Sequence, residues 1–123
     1  NKEKLKKINS KKYDDVVYEL QITKKTGKKI NDKIKGEFTL SVFSRMIQEW
    51  FDLEPLHLYE FKIGDCKYGP ECDEWEEIFD FLDSYKLGAA ISAANLKKGD
   101  QFKFLYDFGD KISFKIKIIN VEE

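Results

Sequence analysis

The C-terminal third of the chain carries the pattern that most restricts its fold. Phe102, Phe104 and Tyr106 occupy every second position, and after Asp107-Phe108-Gly109-Asp110 the alternation resumes through Ile112, Phe114, Ile116 and Ile118. Successive side chains of a strand point to opposite faces, so a period of two marks a strand with one buried and one wet face. Two such runs around a short glycine-containing connection predict a β-hairpin. Asp107 and Asp110 are expected to cap this turn by side-chain to backbone hydrogen bonds, and Gly109 to supply a positive φ.

Upstream, Val16, Tyr18, Leu20 and Ile22 alternate with Val17, Glu19, Gln21 and Thr23, which predicts another strand. A polar cluster around Gly27 turns the chain. Ile30, Ile34 and Phe38 then share one parity, interrupted by Asp32 and Gly36, as in a weak edge strand where lysines discourage unwanted pairing. Leu40, Phe43, Met46, Ile47, Trp50 and Phe51 recur at steps of three and four, the stripe of an amphipathic helix. Thr39 suits its N-cap, Phe38 and Phe43 have the offset of a hydrophobic staple, and Pro55 lies beyond its end. Residues 56–63 read as a strand, with His57, Tyr59, Phe61 and Ile63 on one face. Gly64-Asp65 reads as a turn, and Lys67-Tyr68-Gly69-Pro70 as a short extended piece. Trp75, Ile78, Phe79 and Leu82 predict a second, acidic helix from Asp73, with Asp73 and Glu76 as a capping box. Seven acids fall in residues 71–83. The small-residue stretch from Leu87 reads as a helical turn or loop, and Val121 as the exit.

The 123 residues, 41% hydrophobic and 15% aromatic, suffice for one domain with a real core and exclude disorder throughout. No apolar run is long enough for a membrane span, and no signal-peptide pattern is present. Cys66 and Cys72 are spaced for neither a redox pair nor a zinc knuckle, so both are expected as reduced thiols in a cytoplasmic protein. The chain begins at Asn1 and reads as a trimmed piece of a longer protein. Net charge is -1, unlike a globally basic nucleic-acid binder. The charge is uneven: residues 1–36 balance to +7 and residues 37–123 to -8. Residues 1–14 are expected as a Lys-rich tail or short helix, and residues 15–121 as the single folded domain.

Three kinds of chemistry can be weighed. Asp107-Phe108-Gly109 is a kinase tripeptide, but no glycine-rich phosphate loop or catalytic-loop pattern accompanies it, and the chain is too short for two lobes. His57, Glu60, Asp107 and Asp110 are the candidates for acid–base or cation chemistry, since imidazole and carboxylates can move a proton or bind a metal. The lone His57 fits a packing role better, and no metal or cofactor is expected. Lys2, Lys4, Lys6, Lys7, Lys11 and Lys12, with Lys24, Lys25, Lys28 and Lys29 of the first hairpin, are the candidates for contacting nucleic-acid phosphates. No aromatics interleave the first six, and arginine is absent from them.

Taken in order, the strand with Tyr18-Glu19-Leu20, Phe38-Thr39-Leu40 opening a helix that ends in Met46-Ile47-Gln48-Glu49-Trp50-Phe51-Asp52, His57-Leu58-Tyr59-Glu60-Phe61, Lys67-Tyr68-Gly69 and Tyr106-Asp107-Phe108-Gly109-Asp110 resemble the plasmid pRiA4b ORF-3-like family, some of whose members are passenger proteins of insertion elements. The resemblance covers about residues 15–121. It implies a compact α+β domain in which the His57 and Asp107 segments approach each other, and it implies no defined activity. The chain departs from the family pattern in three places. The first hairpin lacks the Pro-Pro-x-Trp-Arg-Arg-like stretch, Tyr59 replaces the second histidine of His-Leu-His, and Ile112 and Phe114 stand where Trp and His are usual.

These readings predict one α+β domain: a mixed or antiparallel sheet of about five or six strands on one long helix plus a shorter acidic helix, in a β-grasp-like order. Trp50, Phe51, Phe43, Ile47, Leu20, Ile22, Phe61, Phe104 and Phe114 should form the core. The expected function is a non-enzymatic binding or adaptor domain with a protein partner or a second copy of itself. A small enzyme built on His57, Glu60, Asp107 and Asp110, and nucleic-acid binding through the N-terminal lysines, are the alternatives.

Overall fold

The computed structural model describes residues 2–70 and 78–123. Two period-two segments, β1 (Val17–Lys24) and β2 (Lys29–Lys35), pair as an antiparallel hairpin around Gly27, whose φ of 111° only glycine adopts readily. The C-terminal hairpin joins β6 (Gln101–Tyr106) to β7 (Ile112–Glu122), which runs on past Ile118 so that Val121 pairs with Tyr18 instead of leaving the sheet. β3 (Tyr59–Ile63) and β4 (Cys66–Gly69) form a third hairpin, and the two-residue β5 (Phe81–Leu82) closes the far edge.

Among the described residues the sheet has seven strands in the order β2-β1-β7-β6-β3-β4-β5. Only β4 and β5 run parallel; the other neighbours are antiparallel, including β1 and β7, whose register shifts once at Glu19/Leu20. The α+β architecture and the sequence of hairpin, helix and further strands are as the sequence implies. β2 lies at an edge.

One face of the sheet is apolar. Leu20, Ile22, Phe61, Phe104, Phe114, Ile116 and Ile118 are buried there. α2 (Leu40–Trp50) lies against it, with Phe43 stacked on Phe61 at 5.5 Å and Phe51 edge-on to Phe114 at 4.9 Å. The Thr39 hydroxyl accepts from the Val42 amide, the cap its position implies. The same core takes Leu5 from α1 (Lys2–Asn9) and Leu87, Ala90 and Ile91 from α3 (Leu87–Ala93).

Several expectations need correction. Trp50 is only partly buried, because it closes the last turn of α2 at the margin of the core. Phe38 falls outside β2 and is exposed, so the staple partner of Phe43 does not lie buried. β3 starts at Tyr59, not at residue 56: Pro55 has no amide to donate, and Leu56 is left-handed (φ 69°) and 98% exposed. The stretch from Leu87 is a seven-residue helix. The first part of the acidic helix, Asp73 to Glu77, lies outside the described residues. Its second part is not helical, because Phe81 and Leu82 pair with Tyr68 and Gly69, the Phe81 ring stacks on Tyr68, and Ile78 is exposed. Tertiary pairing here overrides a helical spacing, and with β4 it raises the strand number above five or six.

Candidate functional site

His57 and Asp107 meet at one end of the sheet. The Asp107 amide donates to the Leu58 carbonyl at 2.7 Å, which ties the β6–β7 turn to the segment entering β3. His57 Nδ1 then lies 3.5 Å from Asp107 Oδ2, and Nε2 lies 3.6 Å from Glu54 Oε2. These are ion-pair distances, longer than a directed hydrogen bond. The imidazole also stands edge-on to Tyr106, 5.8 Å between centroids. The Tyr106 hydroxyl donates to the Glu54 carbonyl, and burial pushes its pKa up.

Asp107 is already occupied. Its Oδ1 accepts from the amides of Gly109 at 3.1 Å and Asp110 at 3.4 Å, so it caps the turn. The positive φ values of this turn belong to Asp107 and Lys111, not to Gly109. Asp107 can take that conformation because its short carboxylate bonds the local backbone. A Cβ on Gly109 would lie 3.3 Å from Asp107 Oδ1, so the glycine leaves room for the cap. Asp110 is exposed and contributes its amide.

Glu60 does not join this corner. It pairs with Leu105 on β6, one position out of phase with the buried Tyr59 and Phe61, and so lies on the opposite face of the sheet. There it lines a cleft of about 530 Å³ with Lys62, Lys103, Lys115 and Lys25. Of the four acid–base candidates, the structure brings together the side chains of His57 and Asp107 at the sheet's end and places Glu60 in the cleft. Among the described residues, no three His, Cys, Asp or Glu side chains are grouped to hold a metal ion.

The candidate phosphate-contacting lysines are split as well. Those of residues 2–12 belong to α1 and the turn after it, beside α3. Lys24, Lys25, Lys28 and Lys29 lie at the hairpin end of β1, a strand of eight residues and roughly 26 Å. Lys28 bends toward α2, with Nζ 5.5 Å from the Phe51 ring centroid and 3.5 Å from the Trp50 carbonyl. Lys25 and Lys29 are exposed.

Strand pairing assembles a different group. Lys67 of β4 is opposite Lys62 of β3, Lys62 opposite Lys103 of β6, Lys103 opposite Lys115 of β7, Lys115 opposite Thr23 of β1, and Thr23 opposite Lys29 of β2. Directly paired residues share a face, so one line across six strands carries five exposed lysines. The next line holds Gln101, Lys117, Gln21 and Asn31. Ion pairs among the described residues use Lys6, Lys33 and Lys86, and none of the five. Like charges directly opposite each other destabilise a sheet. Only the polar parity of β3, β6 and β7 hinted at this line in the sequence, where Lys62, Lys103, Lys115 and Lys117 alternate with buried residues. The register that aligns them is a property of pairing.

A family model described as "Plasmid pRiA4b ORF-3-like protein" matches residues 16–123. The chain is 37% identical over 62 residues to uncharacterized protein y4hQ of Sinorhizobium fredii, a match covering 50% of this chain and 30% of that protein. It is also similar in fold to the crystal structure of the protein of unknown function MM3350 from Methanosarcina mazei Go1. That match has a TM-score of 0.67 and 22% identity, over 87% of this chain and 61% of the other. The chain thus spans under a third of the first relative and about three fifths of the second.

Proposed function

The chain belongs to the plasmid pRiA4b ORF-3-like family, and from that premise we propose that it is a non-enzymatic binding domain whose open sheet face meets an anionic partner. One observation carries this reading: the line Lys67, Lys62, Lys103, Lys115 and Lys29 across the sheet. Adjacent ammonium groups with no ion pair among the described residues raise the energy of the isolated fold, and an anion laid along them removes the repulsion. A small acid–base or metal-dependent enzyme is less well supported, because the Asp107 carboxylate is engaged in capping its own turn and no three His, Cys, Asp or Glu side chains among the described residues are grouped to hold a metal ion. No helix among the described residues is long and apolar enough to cross a membrane, and Cys66 is a free thiol, which fits the reducing cytoplasm in which we place the chain.

Heparin, a sulfated polyanion, tests the reading. The triple variant Lys62→Glu, Lys103→Glu, Lys115→Glu should leave a heparin column at much lower salt than the wild type. The variant Lys2→Glu, Lys7→Glu, Lys11→Glu should elute close to the wild type. The reverse ranking would move the binding surface to the N-terminal lysines and refute the proposal.

A further inference from the structure

Resting on the binding-face reading, we propose that the partner of the open sheet face is a nucleic-acid duplex, gripped by its phosphates without regard to base sequence. Strands lie about 4.8 Å apart, so the line from Lys67 to Lys29 crosses five gaps and extends about 24 Å. That exceeds the width of a major groove, about 12 Å, so one line reaches the phosphates of both strands bordering a groove. The neighbouring line adds the amides of Gln101, Gln21 and Asn31 beside Lys117. Uncharged amides of this kind bond phosphate and sugar oxygens. Lys24, Lys25 and Gly27 of the first hairpin line the same cleft of about 530 Å³ as Lys62, Lys103 and Lys115.

The residues absent from this face narrow the choice. Single strands are held largely by stacking on aromatic side chains. The large apolar side chains exposed among the described residues are Phe38, Val42, Leu56 and Ile78, and none belongs to the lysine-bearing strands. An acidic protein segment would need buried anchors of the Trp, Tyr or Arg type. The chain has a single arginine, Arg45, and it lies on α2. Lysine and amide side chains can read base edges inside a groove, but a face six strands and about 24 Å wide is too broad to enter a groove about 12 Å wide, so its contacts go to the backbone.

Fluorescence anisotropy with two unrelated duplex DNAs of about 24 base pairs tests this across about 50 to 200 mM salt. Five phosphate contacts give a log–log salt slope near -4.5, about a 500-fold loss of affinity over that range. The variant Lys103→Gln, Lys115→Gln should reduce the magnitude of the slope by about 1.8, while Lys7→Gln, Lys11→Gln should leave it unchanged. Circular dichroism verifies that both variants fold. The two duplexes should bind within about threefold of each other, far closer than a base-reading protein allows. Tighter binding of a single strand of equal length, of polyglutamate, or a slope indifferent to Lys103 and Lys115, would overturn the proposal. Retention on heparin that depends on Lys62, Lys103 and Lys115, with no duplex binding at the lowest salt, would overturn the duplex and leave the anionic-partner reading intact. Loss of both would remove the two together.

Discussion

At the scale of single residues, the buried polar groups brace the sheet. Asp83 is 6% exposed, and its carboxylate accepts from the Tyr59 hydroxyl. Its amide donates to the Gly69 carbonyl, and its carbonyl accepts from the Ser41 amide. One residue therefore links β3, β4 and the first turn of α2. Burial, then the neighbouring Asp83, pushes the Tyr59 pKa far up, so the phenol stays protonated and keeps donating. Tyr59→Phe preserves the ring and removes that donor. It should lower unfolding free energy by about 1–3 kcal/mol in a urea titration, the range for a buried hydrogen bond to a charged group. An unchanged midpoint would mean that the remaining contacts satisfy Asp83 alone. At the sheet's end, His57 lies between the carboxylates of Glu54 and Asp107, at 3.6 and 3.5 Å.

At the scale of elements, α1 depends on its docking. Eight residues are too few for a stable isolated helix in water. Leu5 and Tyr13 are buried, the Tyr13 ring rests where a Cβ on Gly88 would come within 2.6 Å, and Lys86 donates to Asn9, Lys11 and Glu37. Gly88→Ala should therefore loosen the N-terminal segment, at about 1–3 kcal/mol for overpacking, and speed proteolysis near Asn9. Acid should do the same. Bonds from the Tyr13 amide and from Lys86 hold the Glu37 pKa below its ordinary value. For a carboxyl with a depressed folded value, its stabilisation is complete above the ordinary glutamate range and is lost as pH falls through the folded value. Proteolysis of the first residues by an acid-active protease should accelerate on going from above that range to below it. In Glu37→Gln this acceleration should be much smaller. Elements of this kind also mark what the sequence makes legible. Period-two runs and the α2 stripe locate β1, β6, β7 and α2 because each signal is local. β5 is hidden because two residues carry no period and take their conformation from Tyr68 and Gly69. Which residues of the β6–β7 turn take positive φ is equally hidden, because Asp107 replaces the expected glycine by capping its own backbone.

At the scale of the whole molecule, a net charge of -1 conceals a segregation by face that no count along the chain reveals. The division into a basic start and an acidic remainder is real in the sequence, yet Lys62, Lys67, Lys103, Lys115 and Lys117 all come from the acidic part. Folding sorts them by parity onto one surface, and register aligns five lysines across it. Glu60 is the carboxylate within that surface's cleft, one same-face step along β3 from Lys62 and diagonal to Lys103. Diagonal neighbours lie about 7–8 Å apart, within the Debye length of about 10 Å at 0.1 M salt. A negative charge there opposes an incoming polyanion. Glu60→Gln should therefore strengthen heparin and duplex binding, by about threefold at low salt and less as salt shortens the screening length. Glu49→Gln, on the exposed side of α2, should change nothing. A Glu60 that served acid–base chemistry would behave otherwise, since its replacement would abolish a reaction without improving affinity for an anion. Weaker binding by Glu60→Gln would count against the open face as the contact surface, because a carboxylate can favour a polyanion there only through a partner cation that the lysine line does not need.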